Sequence, residues 1–479
     1  VVSQRTIIQI YHSRLRELFA GAIPPGKRVL EVGCGDGHLL ASLKPSHGVG
    51  IDHDAGAVNR ARELYPHLHF HLQRVEALEL DETFDYVVMA DLLVSVDDVL
   101  DVFERLRPLC HAETRWVISS YNAVWQGVIS LAERLGLKRV ARAANWLGAA
   151  DILNLLRLAD VQPERWQTAL ALPVPGVEKV MRLFEGLTAP FNWIMFFVAH
   201  PQPLPQVPDL PVTVVVPTRN EAGNIRDAVE RIPEMGTGTE ILFVDGSSTD
   251  GTQAEIEAMM KKYPQRKIRL LHQVEGNIPE DAATQRAQRL GKMLPQGKAD
   301  AVRKGFYAAS GEVLMICDAD LTVAPEDLPR FYRALATGKA DFINGSRMLY
   351  PMEEQAMRYI NLLGNKFFSL AFSWILGHYV KDTLCGTKVF RKSDFDRIQA
   401  FRAEVGDFDP FGDFELLYGA SAGGLRIIDL PIRYRRRLYG QPKIENFRHS
   451  LLLFKMIWRG VVSLKMGIRD RDATPKGEG

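Results

Sequence analysis

Short apolar runs alternate with longer amphipathic stretches along most of the 479 residues. In the first half, Arg28 to Val32, Gly48 to Ile51, Tyr86 to Met89 and Trp116 to Ser119 read as buried strands with helix-patterned sequence between them. That alternation predicts a mostly parallel sheet with helices on both faces. It stops at residues 200–211, where Pro201, Pro203, Pro205, Pro208 and Pro211 remove backbone donors and stiffen the chain. It then restarts. Val212 to Val216, Glu240 to Val244, Lys267 to Leu271 and Val313 to Ile316 read as strands, and Asn224 to Arg231, Asp250 to Lys262 and Ala299 to Ala309 as helices. The expected organisation is α/β in two domains, 1–199 and 212–468, joined by the proline-rich linker 200–211 and followed by a disordered tail at 469–479. Glu275 to Gly297 is long, polar and aperiodic, which in a compact domain suggests a functional loop such as a lid.

Composition changes little in this picture. With 46% hydrophobic and 24% charged residues and a net charge of +1, the chain is an ordinary globular protein, and neither disorder nor a nucleic-acid-coating surface is expected. Cys34, Cys110, Cys317 and Cys385 are too scattered for a zinc site or disulfide framework, so reduced thiols are expected. No segment reaches the roughly 18 apolar residues that cross a bilayer, and the start lacks the apolar region of a signal peptide. A cytoplasmic location follows, with one segment suited to the inner face of a membrane. In Ser450 to Met466 a polar stripe of Lys455, Arg459 and Ser463 lies beside a wide apolar face, which fits either a lipid interface or the domain's own core.

The strand Arg28 to Val32 runs into Gly33, Gly35 and Gly37, and His38 to Lys44 can continue as a helix. Glycines at a strand-to-helix turn let backbone approach a ligand closely. About 17 residues beyond Gly35, Asp52 ends the next strand with a carboxylate of the kind that accepts from ribose hydroxyls. The loop Glu31-Val32-Gly33-Cys34-Gly35-Asp36-Gly37, the acid Asp52 and the run Phe84 to Leu92 resemble class I S-adenosylmethionine (SAM)-dependent methyltransferases over roughly Tyr11 to Gln167. A dinucleotide fold is the rival, but His38 stands where its third glycine would be. The resemblance implies a Rossmann-like domain in which Glu31 orients the methionine end, Gly33, Cys34 and Gly35 line the cofactor, Asp52 holds the ribose and Glu76 marks the adenine side. His12, His38, Asp91, Tyr121 and Asn122 are polar candidates near the acceptor, set against an ordinary structural role.

In the second half three strands end in polar groups: Val212 to Val216 before Pro217, Asn220 and Glu221; Glu240 to Val244 before Asp245; and Val313 to Ile316 before Asp318 and Asp320. Ligands of open α/β sheets bind at such ends. Acids at alternate positions suit Mg²⁺ or Mn²⁺ bridging a diphosphate. With Gly297 to Gly305, Asn344 to Arg347, Asp382 to Lys388 and Pro431 to Lys443, the region from Pro211 to about Lys465 resembles family 2 glycosyltransferases of the GT-A fold, most of all dolichyl- or polyprenyl-phosphate hexosyltransferases. It departs from that subgroup where Gly386-Thr387-Lys388 stands in place of Ser-Gly-Phe-Arg, at Pro442, and in the enlarged Glu275 to Gly297.

That resemblance implies a nucleotide-sugar donor held by Pro217, Asn220, Glu221, Asp245, Lys298 and Asp318, with a divalent metal on Asp318 and Asp320. Arg347 and Lys388 would face phosphate, and Arg437 and Lys443 would close over the diphosphate. A hydroxyl acceptor needs a general base, for which Asp413 and then Glu415 are the candidates; a lipid phosphate needs none. The leading expectation is a bifunctional enzyme of glycan, glycolipid or cell-envelope synthesis, acting on a sugar, lipid-phosphate or small-molecule acceptor. Two alternatives stand: a polyprenyl-phosphate hexosyltransferase with an attached methyltransferase, and a glycosyltransferase regulated by a non-catalytic SAM-binding module.

Overall fold

The computed structural model describes residues 4–126, 145–170, 185–274, 297–350, 359–405, 409, 412–434 and 446–467. Two compact units make up the chain, Val1–Leu204 with Leu349–Pro351, and Pro205–Met348 with Met352–Gly479.

The first unit is built on seven strands, β1 (Arg28–Val32), β2 (His47–Asp52), β3 (His69–Leu72), β4 (Phe84–Ala90), β5 (Cys110–Tyr121), β6 (Val161–Ala169) and β7 (Ile194–Pro201). Their order is β3-β2-β1-β4-β5-β7-β6. β1 to β5 run parallel, while β7 lies antiparallel to both β5 and β6. Successive residues of β5 and β7 face opposite sides: Trp116, Ile118, Met195 and Phe197 join one core, Val117, Ile194 and Phe196 the other. From β1 the chain moves outward through β2 and β3 and then crosses back to β4 on the other side of β1, which opens a crevice at the carboxyl ends of β1 and β4.

The second unit has β8 (Val212–Thr218), β9 (Thr239–Asp245), β10 (Lys267–His272), β11 (Val313–Ile316), β12 (Phe342–Ser346), β13 (Lys388–Arg391) and β14 (Ile427–Pro431). In the order β10-β9-β8-β11-β13-β12-β14 the first four are parallel, β13 is inserted antiparallel to β11 and β12, and β14 is parallel to β12. The expected helices are present as Ala222–Arg231, Thr252–Lys262 and Lys298–Ala308. The switch in strand order falls between β8 and β11, beside which Asn220, Asp245, Asp318 and Asp320 emerge.

Strand β7 runs to Pro201, past the boundary expected at 199. Beyond it, Tyr332 Oη donates to the Pro208 carbonyl at 2.5 Å and accepts from the Leu210 amide at 2.8 Å, so this end of the expected linker is fixed to the second unit. Residues 275–296 of the expected lid and the tail 469–479 lie outside the described residues.

Candidate active sites

At the end of β1 the amides of Gly33 and Cys34 both donate to the Ile51 carbonyl, at 2.8 and 3.0 Å. Gly33, Gly35 and Gly37 have φ of +76°, +51° and +73°, a region that side chains resist. Space is also short, since a Cβ at Gly37 would fall 2.7 Å from the Phe70 ring. Asp52 locks this loop: one carboxylate oxygen accepts from Gly35 N at 2.8 Å and the other from Asp54 N at 2.9 Å. Glu31 is buried and accepts from Leu40 N at 2.9 Å, at the start of the helix after the loop. Cys34 lies buried in the same loop, its thiol pushed up by burial and then by Glu31 and Asp52. Glu76 follows β3 on the turn Val75–Ala77, 3.4 Å from Arg74 Nε.

Burial pushes the Glu31 carboxyl up from 4.5 to about 8, against the opposing hydrogen bond from Leu40. Between those values the folded chain keeps a proton that the unfolded chain releases, so stability falls as pH rises through that window. Without ligand, the melting temperature of the first unit should therefore drop more steeply from pH 5 to pH 8.5 in the wild type than in Glu31→Gln. Parallel curves would place Glu31 in contact with water. Replacing Asp52 with Ala should weaken SAM binding by about 1 to 3 kcal/mol by calorimetry; an unchanged affinity would remove Asp52 from the ribose site.

Asp91 and Tyr121, both candidates from the sequence, belong to a group whose other members, Tyr11 and Ser119, the sequence did not show. Tyr11, from the helix Gln4–Ala22, donates to Asp91 Oδ2 at 2.8 Å, Ser119 Oγ donates to Oδ1 at 2.8 Å, and the Tyr121 ring stacks on Tyr11 at 5.2 Å. Asp91 has φ of +54° at the exit of β4, and burial pushes its carboxyl up against those hydroxyl bonds. A contact across 80 residues leaves no local sequence signal. Asn122 is taken up structurally, its amide donating to the carbonyls of Pro190 and Asn192. His38 Nδ1 lies 2.6 Å from the Tyr65 hydroxyl on the exposed side.

In the second unit the loops after β8 and β9 interlock. Asn220, with φ of +57°, donates its amide to Ser248 Oγ at 2.9 Å and accepts from Thr249 N at 2.8 Å. Glu221 is buried and accepts from Asn224 Nδ2 at 2.8 Å. Pro217 is the penultimate residue of β8. Asp245 is buried and accepts from Ser248 Oγ at 2.5 Å and Gln253 Nε2 at 2.6 Å.

Beyond β11, Asp318 Oδ1 pairs with Lys298 Nζ at 2.7 Å, and Asp320 Oδ1 accepts from Thr322 N at 3.1 Å and Oγ1 at 2.8 Å. Partial burial alone would lower the Lys298 ammonium; Asp318, then Asp413, then Asp320 hold it above the usual lysine range. Of the two acids expected to hold a metal, Asp318 is thus engaged by a lysine and Asp320 by the amide and hydroxyl of Thr322. Among the described residues no group of three or more His, Cys, Asp or Glu side chains is placed to hold a metal.

Three other expected site residues are engaged by buried neighbours. Lys388 does not face an open phosphate site; it is fully buried, donating to the Cys385 carbonyl, with its ammonium 3.4 Å from Asp413. Lys388 opens β13, which lies between β11 and β12 and is buried at its first three residues. Arg347 grips Asp382 through Nε at 2.7 Å and Nη2 at 2.9 Å. Burial alone would raise the Asp382 carboxyl, and the guanidinium holds it below the usual range. Glu415 is 2% exposed, with Arg303 Nη1 2.7 Å from its carboxylate. Arg437 and Lys443 lie outside the described residues.

Residues 4–163 match the family model of a methyltransferase domain, and residues 213–282 and 293–399 match glycosyl transferase family 2. The chain joins a methyltransferase domain to a family 2 glycosyltransferase domain. Over 263 residues the glycosyltransferase domain is 26% identical to dolichol-phosphate mannosyltransferase of Pyrococcus furiosus, covering 52% of this chain and 65% of the relative. Polyprenol monophosphomannose synthase of Mycolicibacterium smegmatis is 26% identical over 52% of this chain and 86% of its own length. Dolichyl-phosphate hexose transferase of Haloferax volcanii is 28% identical over 51% and 92%. For the methyltransferase domain, magnesium protoporphyrin IX methyltransferase of Synechocystis PCC 6803 aligns over 40% of this chain and 82% of its own, at 20% identity and a TM-score of 0.30. Both domains are thus enzyme domains of α/β class, the first Rossmann-like.

Proposed function

We propose that the glycosyltransferase domain moves a hexose from a nucleotide-sugar to a polyprenyl phosphate at a membrane surface, and that the methyltransferase domain uses SAM on an acceptor of the same glycan or glycolipid pathway. The observation that carries this reading is the state of the two candidate bases. Asp413 is 8% exposed and paired with Lys388, and Glu415 is buried against Arg303. A hydroxyl acceptor needs an available base to take its proton. A phosphate monoester is already anionic near neutral pH and needs none. Its oxygen attacks the anomeric carbon as the carbon–oxygen bond to the donor diphosphate breaks, the diphosphate leaving with the electron pair. Such a direct displacement inverts the anomeric centre.

Two helices support the lipid end of this reading. Leu370 and Trp374 on Tyr359–Leu376, and Phe454 and Trp458 on Asn446–Gly460, are 54 to 68% exposed. The helices meet through the Phe368 and Phe454 rings at 5.2 Å, and Lys465 Nζ lies 5.4 Å from the Trp374 ring centroid. Exposed aromatics beside lysines suit the interface of an anionic bilayer. Among the described residues no helix is long and apolar enough to cross it. In the methyltransferase domain, the glycine loop and Asp52 fit the ribose and methionine of SAM, which supplies an electrophilic methyl group when bound.

The test offers GDP-, UDP- and dTDP-hexoses with either a polyprenyl phosphate or the corresponding polyprenol. Product should form on the phosphate alone, and Asp413→Asn should keep activity within about tenfold of wild type. Transfer to the alcohol, with Asp413→Asn losing a factor of about 100 or more, would replace this reading with a base-assisted one.

A further inference from the structure

Resting on the SAM reading above, we propose that Asp91, with the stacked rings of Tyr11 and Tyr121, is a cation site for the sulfonium of SAM, so that the domain tells the charged cofactor from its neutral product, S-adenosylhomocysteine. Asp91 stands at the exit of β4, the strand beside β1, and the next residue packs against the glycine loop: a Cβ on Gly33 would fall 3.1 Å from Leu92 Cδ1. Both carboxylate oxygens are held, Oδ2 by Tyr11 Oη and Oδ1 by Ser119 Oγ, each at 2.8 Å. The Tyr121 ring lies on that of Tyr11 with centroids 5.2 Å apart and planes 22° from parallel. Tyr11 and Ser119 are buried, while Asp91 and Tyr121 keep part of their surface exposed.

These hydroxyl partners orient the carboxylate without balancing its charge. Among the described residues the ionisable groups that act on it are Tyr11, Tyr121 and His12, with no lysine or arginine among them. His12 follows Tyr11 on the helix Gln4–Ala22 and is exposed. A carboxylate shielded from water is ordinarily paired or shifted towards its protonated form, and burial does push Asp91 above the usual range. A cation arriving at the carboxyl ends of β1 and β4 supplies the missing partner: it favours the ionised acid and is drawn to the faces of tyrosine rings. The sulfonium of SAM is such a cation, at the reacting end of the molecule. Once the methyl group has left, the sulfur is a neutral thioether and that attraction is gone, which favours product release. Glu31, assigned to the methionine end, cannot make this distinction, because both molecules carry the same amino-acid group.

Calorimetry on the full chain with SAM and S-adenosylhomocysteine tests this. In Asp91→Asn the affinity for SAM should fall about tenfold or more, while that for S-adenosylhomocysteine stays within about threefold of wild type and shows that the variant is folded. A second measurement needs no change at Asp91. In the wild type the ratio of SAM to S-adenosylhomocysteine affinity should rise about threefold or more from about pH 4.5 to about pH 7.5, because at the acid end Asp91 must give up a proton before it pairs with the cation. Groups that meet both ligands alike, Glu31 included, cancel in this ratio. The rise should persist in His12→Gln, which removes the neighbouring imidazole as its source. A flat wild-type ratio would overturn the inference, as would a rise that disappears in His12→Gln. So would an Asp91→Asn variant that binds SAM like wild type, or one in which both ligands weaken equally. Where that variant binds neither ligand, the wild-type ratio and its His12→Gln control decide. Failure of the wild type to bind either molecule would instead overturn the SAM reading on which the inference rests.

Discussion

Gly386→Ala should lower glycosyl transfer by a factor of about 100 or more and leave SAM affinity unchanged. A Cβ at this position would sit 2.0 Å from Asp318 Oδ2 and 2.7 Å from its Cγ, well inside any carbon–oxygen contact distance. The φ of Gly386 is not positive, so the requirement is for space and not for a left-handed backbone. Neither side yields easily. Asp318 leaves β11 on a turn closed by Leu321 N donating to its carbonyl at 3.0 Å, and the residue before it is tied to β8 through Cys317 N and the Val215 carbonyl at 3.0 Å. Opposite, the Thr387 carbonyl accepts from Gly345 N at 2.9 Å as the loop enters β13. The carboxylate would have to swing off Lys298 by about an ångström, a displacement that in a preorganised site is enough for a loss of this size. Initial-rate assays of transfer and calorimetry with SAM check both halves. Activity within tenfold of wild type would mean that Asp318 and the loop before β13 are not in contact during turnover.

This glycine shows what the sequence can and cannot tell. Gly386-Thr387-Lys388 is visible as a departure from the polyprenyl-phosphate pattern. That the glycine makes room for an acid about 70 residues earlier is a packing fact without any local signature. Secondary structure divides the same way. Strands buried on both faces, such as β8 and β9, stand out as continuous apolar runs. By contrast β3, with only Phe70 buried, and β6, an edge strand with exposed Glu164, Arg165, Trp166 and Gln167, have no such run. β7 is apolar from Ile194 to Ala199 but antiparallel, and its insertion between β5 and β6 depends on pairings that periodicity cannot reveal. The charged residues follow suit. Alternate acids and scattered lysines are legible in the sequence, yet which lysine neutralises which acid is set by tertiary packing. Lys298 is left at the crevice and Lys388 is taken inside.

The sharpest instance is Glu415, where a residue read as a second candidate base is expected to act on stability. Its carboxylate is 2.7 Å from Arg303 Nη1, 3.8 Å from Arg402 Nε and 3.3 Å from Gln399 Nε2, and Arg303 and Arg402 are 5% and 1% exposed. Glu415→Ala removes a carboxylate that both guanidiniums face in a low-dielectric interior. Breaking a buried pair from one side costs about 3 to 5 kcal/mol. Denaturant unfolding of the glycosyltransferase domain should show that loss, while the transition of the methyltransferase domain stays in place. Below its unfolding transition the variant should turn over at a rate close to wild type. A base would behave in the opposite way, with a turnover loss of about 100- to 10,000-fold and an undisturbed unfolding curve. The double variant Arg303→Met with Glu415→Leu separates the two roles further. Removing both partners together avoids the uncompensated charge at this contact, so it should be more stable than Glu415→Ala alone. Only a structural ion pair predicts that a second substitution, 112 residues away in sequence, repairs the first.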